Sequence, residues 1–429
     1  MTLRSGAVIV SNMWQDGGNT TSGNLQGLVP AGQLDRTLFA AGDRTMLFVV
    51  VPKGATRAEV ELAGGGTLAV PLHDGGGMVV PGAKPLSVRA YDADGRVVAE
   101  QTPGKGLVPG ALTRDAAGGS AAGSGVVRVV VVGAGVIGLT CAHRLVRAGH
   151  RVEVWSRDAV QDTTSAVAAA LWYPYRALPE DAVTRWSAAT YDMLAILSVR
   201  PETGVSLVRG RELFRERRPD PWWAPAVPRL GRVTDPPPGY ADGYEFAAPV
   251  VRMPTYLPWL LDELAAAGVA FRVGAVTDLA AVPADVVVNA TGLGARELAG
   301  DAALTGVRGQ VVRVTDPGLA GWTLDEDNPD GMVYVVPRGT DVVCGGTALD
   351  GVESTSPDPA EAERILARCR ALVPALAGAQ VLGHAVGVRP ARPAVRLERS
   401  GEVVHCYGHG GAGVTLSWGC ADEVTRLVG

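Results

Sequence analysis

The sequence predicts an α/β fold with a mostly parallel sheet, preceded by a small β-rich module. Three observations carry this. The apolar run VVVV at 129–132 leads straight into the glycine turn GAGVIG at 133–138. From Val126 onward, apolar runs of strand length alternate with amphipathic runs of helix length, the pattern of strand–helix–strand units. Before about residue 112 there are only short apolar runs broken by Gly, Pro and Asp.

Taken in order, residues 1–112 offer AVIVSNMW, TMLFVVVP, AEVELAGGG and LAVPLHD, then the hairpin candidate LSVRAYDADGRVVAE. Asp94-Gly95 can take the positive φ angles of a tight turn between two β-rich arms. Many short strands with turn signals predict a sandwich-like module. Residues 113–125 contain DAAGGSAAGSG, too poor in apolar surface to pack, and read as a flexible linker.

Beyond the linker, VVRVVVVGAG predicts a strand and VIGLTCAHRLVRAGH a helix ended by Gly149. RVEVWSRD is a second strand. YLPWLLDELAAAG is a helix, AFRVGAVTDL and ADVVVNATG are strands, and PAEAERILARCRALVPAL is a helix. The chain closes with the strand EVVHCYG, a glycine turn, and a helix from about Val414.

Of the 429 residues, 47% are hydrophobic and 19% charged, so packed cores are expected. The net charge is −5, with no basic run, which argues against a nucleic-acid surface. No apolar run reaches the ~18 residues a membrane helix needs. The opening MTLRSGAVIVSNMW lacks a basic start followed by an apolar core, so no signal peptide is expected. Five scattered cysteines without a CxxC pair suggest reduced thiols and a cytoplasmic protein.

Gly133, Gly135 and Gly138 form G-x-G-x-x-G between a strand and a helix. The first makes the turn, the second admits a pyrophosphate, and the third lets helix pack on strand. The helix N-terminus offers free N–H groups to phosphate. An acid is expected about 20 residues on, for a ribose hydroxyl, and Asp158 stands there. This unit predicts a dinucleotide without choosing between NAD and FAD. Three further segments favour a flavin: Asp162 to Pro174, the VVVNATGLGARELAG strand end, and His405 to Val424 with Gly408, Gly410, Gly411 and Gly413. The last is a second helix N-terminus behind a glycine turn, which would hold a flavin ring apart from its adenosine end.

From about Val126 to Gly429 the chain resembles the D-amino-acid oxidases, which are FAD-dependent. The anchors are VVGAGVIGL, TTSAVAAALWYP, NATGLGA, RGQVVRV, YVVPRG, VGVRPARPAVRLE and YGHGGAGVTLSWGCA, in the family's order. The first 125 residues lie outside the resemblance. It implies a Rossmann-like FAD-binding domain, about 126–175, 268–305 and 376–429. Interleaved with it is a substrate domain of mixed sheet, about 176–267 and 306–375.

The resemblance also assigns residues. Arg389 in GVRPARP grips the substrate carboxylate as a bidentate fork, while Arg392 and Arg396 are structural. Tyr334, before VPRG, touches the same carboxylate, and the Gly411 carbonyl accepts the amino group. The Cα–H then faces the flavin, and hydride transfer needs no protein base. His409 is part of the flavin turn. Ala134, Gly135, Val136 and Ile137 meet the pyrophosphate. Arg157 and Asp158 sit near the adenosine, although some members carry the acid where this chain has Arg157. Thr164, Ser165 and Leu171 follow on the flavin side, with Val276 and Thr291, and Gly410, Gly411, Gly413, Val414 and Thr415 line the flavin. FAD is expected to be non-covalent, and no metal is expected.

Two departures mark the substrate side. Animal members have a second tyrosine where this chain has Asp330, and a bulky aromatic where it has Ala412. Trp222 and Trp223 either line the side-chain pocket or pack locally. The implied reaction is oxidation of a D-amino acid to an imino acid with reduction of O2 to H2O2. A glycine or D-aspartate oxidase is the alternative within that chemistry, and a non-catalytic flavin-binding sensor the alternative outside it. The partners expected are the amino acid and O2. A homodimer, and an unknown partner for the N-terminal module, are left open.

Overall fold

The computed structural model describes residues 35–41, 44–50, 56–62, 66–70, 72–73, 76–79, 85–101 and 125–429. The chain divides into two compact units, Met1–Ala122 and Gly123–Gly429. Apart from Gly125, the expected linker lies outside the described residues, as does AVIVSNMW.

The first unit contains two antiparallel sheets of four strands each among the described residues. The expected hairpin is present: Pro85–Tyr91 pairs with Val97–Gln101. Its turn is built as Asp92-Ala93-Asp94-Gly95 allows. The Asp92 carboxylate accepts from the N–H groups of Asp94 and Arg96, at 3.0 and 2.8 Å, and Gly95 takes φ +78°, a conformation glycine adopts without cost.

In the second unit, fourteen strands form one mixed sheet. One half is parallel, in the order Val403–His409, Val286–Asn289, Arg128–Val132, Arg151–Ser156, Ala270–Val273. These are the strands read from apolar runs. Arg128–Val132 is buried over its last four residues, as a central parallel strand covered on both faces should be. The helices Val136–Arg147 and Gly413–Val428 accompany this half.

The other half is the mixed sheet that the resemblance implies for the substrate domain, and departs only from the mostly parallel sheet that the strand–helix alternation suggests. Val205–Phe214, Asp242–Val251, Thr305–Val314, Val333–Pro337 and Val342–Gly345 are joined by antiparallel pairings, except where Val205–Phe214 runs parallel to Trp322–Asp325. The halves are joined by Val381–Ser400. Its first part pairs with Thr305–Val314 and its last part with Val403–His409, and the register shifts between Ala391 and Arg396. Pro390 stands just before that shift and Pro393 within it. Proline has no N–H for a ladder, so it sits where pairing changes. Arg389, in register with Val307, lies two residues before this break.

Helix Glu180–Leu197 gave no signal in the sequence reading. It buries Val183, Thr190, Tyr191 and Leu194 and meets the C-terminal helix closely. The Gly419 N–H donates to the Thr190 hydroxyl at 3.0 Å.

Candidate active site

A cavity of about 840 Å3 is lined from both halves of this sheet, a size that suits a cofactor together with a small ligand. At one end the wall is mostly backbone. Gly133, Ala134, Gly135, Val136 and Ile137 line it. Gly133 holds φ +116°, and Gly138 lies behind, where a Cβ would overlap the Gly133 carbonyl. So the helix starts hard against the turn, with its first N–H groups toward the cavity. No acid occupies its first turn, which leaves the positive end of the helix dipole open. The Val136 N–H donates to Ser165 Oγ at 3.0 Å.

Arg157 and Asp158 line this end. The guanidinium holds the carboxylate through Nε at 3.0 Å and Nη2 at 2.8 Å, and this hydrogen bond keeps the Asp158 carboxyl below its ordinary range. Thr164, Ser165, Leu171, Val276 and Thr291 line the middle. Thr164 donates to the Val388 carbonyl at 3.1 Å and Thr291 to Asn289 Oδ1 at 2.7 Å. Gly413 and Val414 line the cavity, but Gly410 and Thr415 do not. The Gly410 N–H is bound to the Pro390 carbonyl at 2.8 Å. The Thr415 hydroxyl accepts from the Tyr173 N–H at 3.0 Å and donates to its carbonyl at 2.9 Å.

At the other end the wall is side chains. Arg389, Tyr334 and Gly411 are brought together there, although 55 and 22 positions separate them. Arg389 Nη1 donates to the Thr347 carbonyl at 2.8 Å, and its guanidinium takes the space a Cβ on Gly309 would fill, 2.6 Å from that point. Burial pushes the Tyr334 phenol up, and the Arg389 charge beside it partly offsets that. A Cβ on Gly411 would stand 3.0 Å from Arg389 Cδ and 3.3 Å from Tyr175 Cδ1.

Several lining residues gave no signal of their own. Tyr173 and Tyr175, in and just beyond ALWYP, both line the cavity. The Tyr173 hydroxyl donates to Glu212 Oε2 at 2.6 Å. The Tyr175 hydroxyl is buried and has no hydrogen-bond partner among the described residues. Glu326 also faces the cavity. Desolvation raises its carboxyl to about 8, with Glu212 adding to the effect. Desolvation raises Glu212 itself to about 7. Asp330 and Ala412 are absent from the wall, so Glu326, Met332 and Tyr175 shape this end instead. Trp223 packs locally, 5.2 Å from the Tyr173 ring and 6.3 Å from Trp172, and neither it nor Trp222 reaches the cavity.

His409 and Cys406 line the wall beneath the glycine turn. With Cys420 they bring one ligand atom each within 4.8 Å of one another, all buried. All five cysteines are free and buried. No helix among the described residues is long and apolar enough to cross a membrane.

The residues present fit FAD. A helix N-terminus, glycines that leave no room for a Cβ, and an acid suit the nucleotide portion, and the apolar middle suits a ring system. Comparison with known proteins agrees. Residues 128–427 match the family described as FAD dependent oxidoreductase. A D-amino-acid oxidase of Rubrobacter xylanophilus is 52% identical over 314 residues, covering 71% of this chain and 96% of that protein. One from Streptomyces coelicolor is 46% identical over 309 residues, covering 70% and 96%. A human D-aspartate oxidase is 37% identical over 324 residues, covering 70% and 94%. The solved glycine oxidase of Bacillus cereus superposes with TM-score 0.59 at 21% identity, covering 70% of this chain and 94% of that one. At that identity it speaks for the fold alone. The chain therefore belongs, over residues 128–427, to the FAD-dependent oxidoreductases.

Proposed function

We propose that this enzyme oxidises D-amino acids to imino acids, which hydrolyse to 2-oxo acids, while O2 is reduced to H2O2. The carrying observation is the convergence of Arg389, Tyr334 and Gly411 in the cavity that also presents the nucleotide glycines. FAD when bound supplies the two-electron acceptor that is reoxidised by O2.

The residues of this chain do the rest by position. Arg389 offers a planar fork that matches a carboxylate bidentately, and its Nη1 is already fixed by Thr347. Tyr334 offers a hydroxyl beside it. Gly411 exposes backbone next to both, for the amino group. With carboxylate and amine held, two of the four directions at Cα remain, one for the Cα–H and one for the side chain, so inverting the stereocentre exchanges them. Substrate loses a hydride from Cα and a proton from nitrogen. The free, buried cysteines support a cytoplasmic location.

The test is peroxide release across a panel of D- and L-amino acids. Oxidation confined to D-isomers is expected. Comparable turnover of one L/D pair would overturn the three-point arrangement, and no turnover of any member would overturn the oxidase reading.

A further inference from the structure

The cavity holds a second charge-bearing wall that carboxylate binding does not use. Glu326 faces the cavity, and among the described residues its carboxyl makes no hydrogen bond or ion pair. What acts on it acts through space: Glu212 and Asp327 raise it, Arg176 and Arg218 lower it. Both arginines have carboxylates of their own, Arg176 with Asp350 at 3.8 Å and Arg218 with Asp327. Glu212 is occupied by the Tyr173 hydroxyl. Glu326 is thus the carboxyl of this group left facing empty space.

Tyr175 is the second observation. Among the described residues its hydroxyl is buried without a hydrogen-bond partner, and its ring lies beside Gly411. Arg176, Glu326 and Arg389 all bear on its ionisation, and it lines the same cavity as Glu326 and Arg389. A buried polar atom left unpaired is costly, and burying an unpaired carboxyl in its charged form is costlier still. A substrate side chain carrying donors would relieve both.

Resting on the oxidase reading above, we infer that Glu326 and Tyr175 form a side-chain subsite for a cationic group, so that this enzyme prefers D-amino acids with basic side chains, arginine and lysine among them. An acidic side chain would meet a like charge. An apolar one would leave Glu326 and Tyr175 unpaired.

The sharpest probe is D-arginine against D-citrulline, which has nearly the same shape and no charge. Guanidinium stays protonated throughout, so only the protein titrates differently between the two. Wild type should favour D-arginine in kcat/KM by at least tenfold at pH 9. Ionised Glu326 is the form that pairs, and its carboxyl lies near 8, so the preference should grow roughly tenfold from pH 7 to pH 9. Ionisation of the α-amino group common to both substrates cancels in the ratio. Glu326→Gln should bring the ratio toward one and flatten its pH profile, with the flavin absorbance ratio confirming a folded protein.

A wild-type ratio near one, with D-leucine still oxidised, would overturn the subsite and leave the oxidase reading standing. A tenfold ratio that survives Glu326→Gln would overturn the assignment to Glu326. Failure to oxidise any D-amino acid would instead sink the oxidase reading. The wild-type pH series needs no variant, so it decides the matter even if Glu326→Gln does not fold.

Discussion

The two ends of the cavity are built from different materials. The nucleotide end is mostly backbone, with Gly133 to Ile137 and a helix N-terminus, edged by the exposed pair Arg157–Asp158. The substrate end is side chains from distant segments: Tyr175, Glu326, Tyr334 and Arg389. Backbone recognition is set by steric exclusion and falls within a few consecutive residues. Side-chain recognition depends on which strands lie side by side. Disturbing the first end should therefore act on cofactor retention and folding, and disturbing the second on turnover and selectivity.

The largest expected effect is at the substrate end. Arg389→Ala should lower kcat/KM for a good D-substrate on the order of 30- to several-thousand-fold, because truncating one partner of a buried charge pair costs about 2–5 kcal/mol. Flavin content should stay near wild type, since the glycine turn is untouched. Steady-state kinetics beside the flavin-to-protein absorbance ratio checks both halves. A loss below threefold would remove Arg389 from the carboxylate site, and a colourless variant would erase the division between the ends.

Next comes the nucleotide end. In Gly138→Ala the new Cβ meets the Gly133 carbonyl, a backbone atom that moves only if the helix leaves the strand. Overpacking of this kind costs about 1–3 kcal/mol, and more where backbone must move. The protein should lose flavin and melt at lower temperature, and whatever fraction keeps flavin should keep the substrate selectivity of wild type. Thermal unfolding with and without added FAD measures this. An unchanged Tm would show that the close approach is not required.

How much was legible follows the same division. The parallel strands, their helices and the GAGVIG turn were readable because each is written in consecutive residues. Arg389, Tyr334 and Gly411 came only through resemblance, and nothing near GVRPARP says locally that its arginine meets a tyrosine 55 positions earlier. Glu326 could not be read at all. It sits in LDEDNPD, where a run of acids reads as a solvated loop, and only the placement of Trp322–Asp325 beside Val333–Pro337 turns it inward. Thr415 shows the reverse: its position matched a flavin contact, and its hydroxyl is spent on Tyr173. Helix Glu180–Leu197 was missed because its buried face includes Ser187 and Thr190, which carry no apolar period.

A smaller effect separates function from stability at Glu326. Its carboxyl is near 8 in the folded protein against 4.5 as a free side chain. A raised carboxyl contributes most to stability below its unfolded value, and that contribution is lost as pH rises toward 8. Glutamine never ionises. Glu326→Gln should match wild type in stability near pH 5 and exceed it by on the order of 2 kcal/mol near pH 9, discounted for its coupling to Glu212. Denaturant unfolding at the two pH values reads the difference. A variant less stable than wild type at pH 9 would mean that Glu326 has a cationic partner in the folded state.

The smallest effect should come from Asp158, and it probes whether the nucleotide end is backbone-built throughout. Asp158 is the one acid there whose role was read from spacing, yet its carboxylate is already held by Arg157, and both side chains are substantially exposed. Exposed charge pairs contribute little, because water screens them and the side chains lose freedom in pairing. A hydrogen bond from Asp158 to a ribose hydroxyl would be offset in part by loosening the Arg157 contact. Asp158→Asn keeps the shape and an acceptor oxygen. It should therefore raise the Kd for FAD by less than tenfold, far below the effect of Gly138→Ala. Titrating flavin-free protein with FAD, followed by flavin fluorescence at two salt concentrations, gives the answer. A loss of a hundredfold or more would show that one exposed side chain rivals the glycine turn, and the contrast between the two ends would then fail at its nucleotide side.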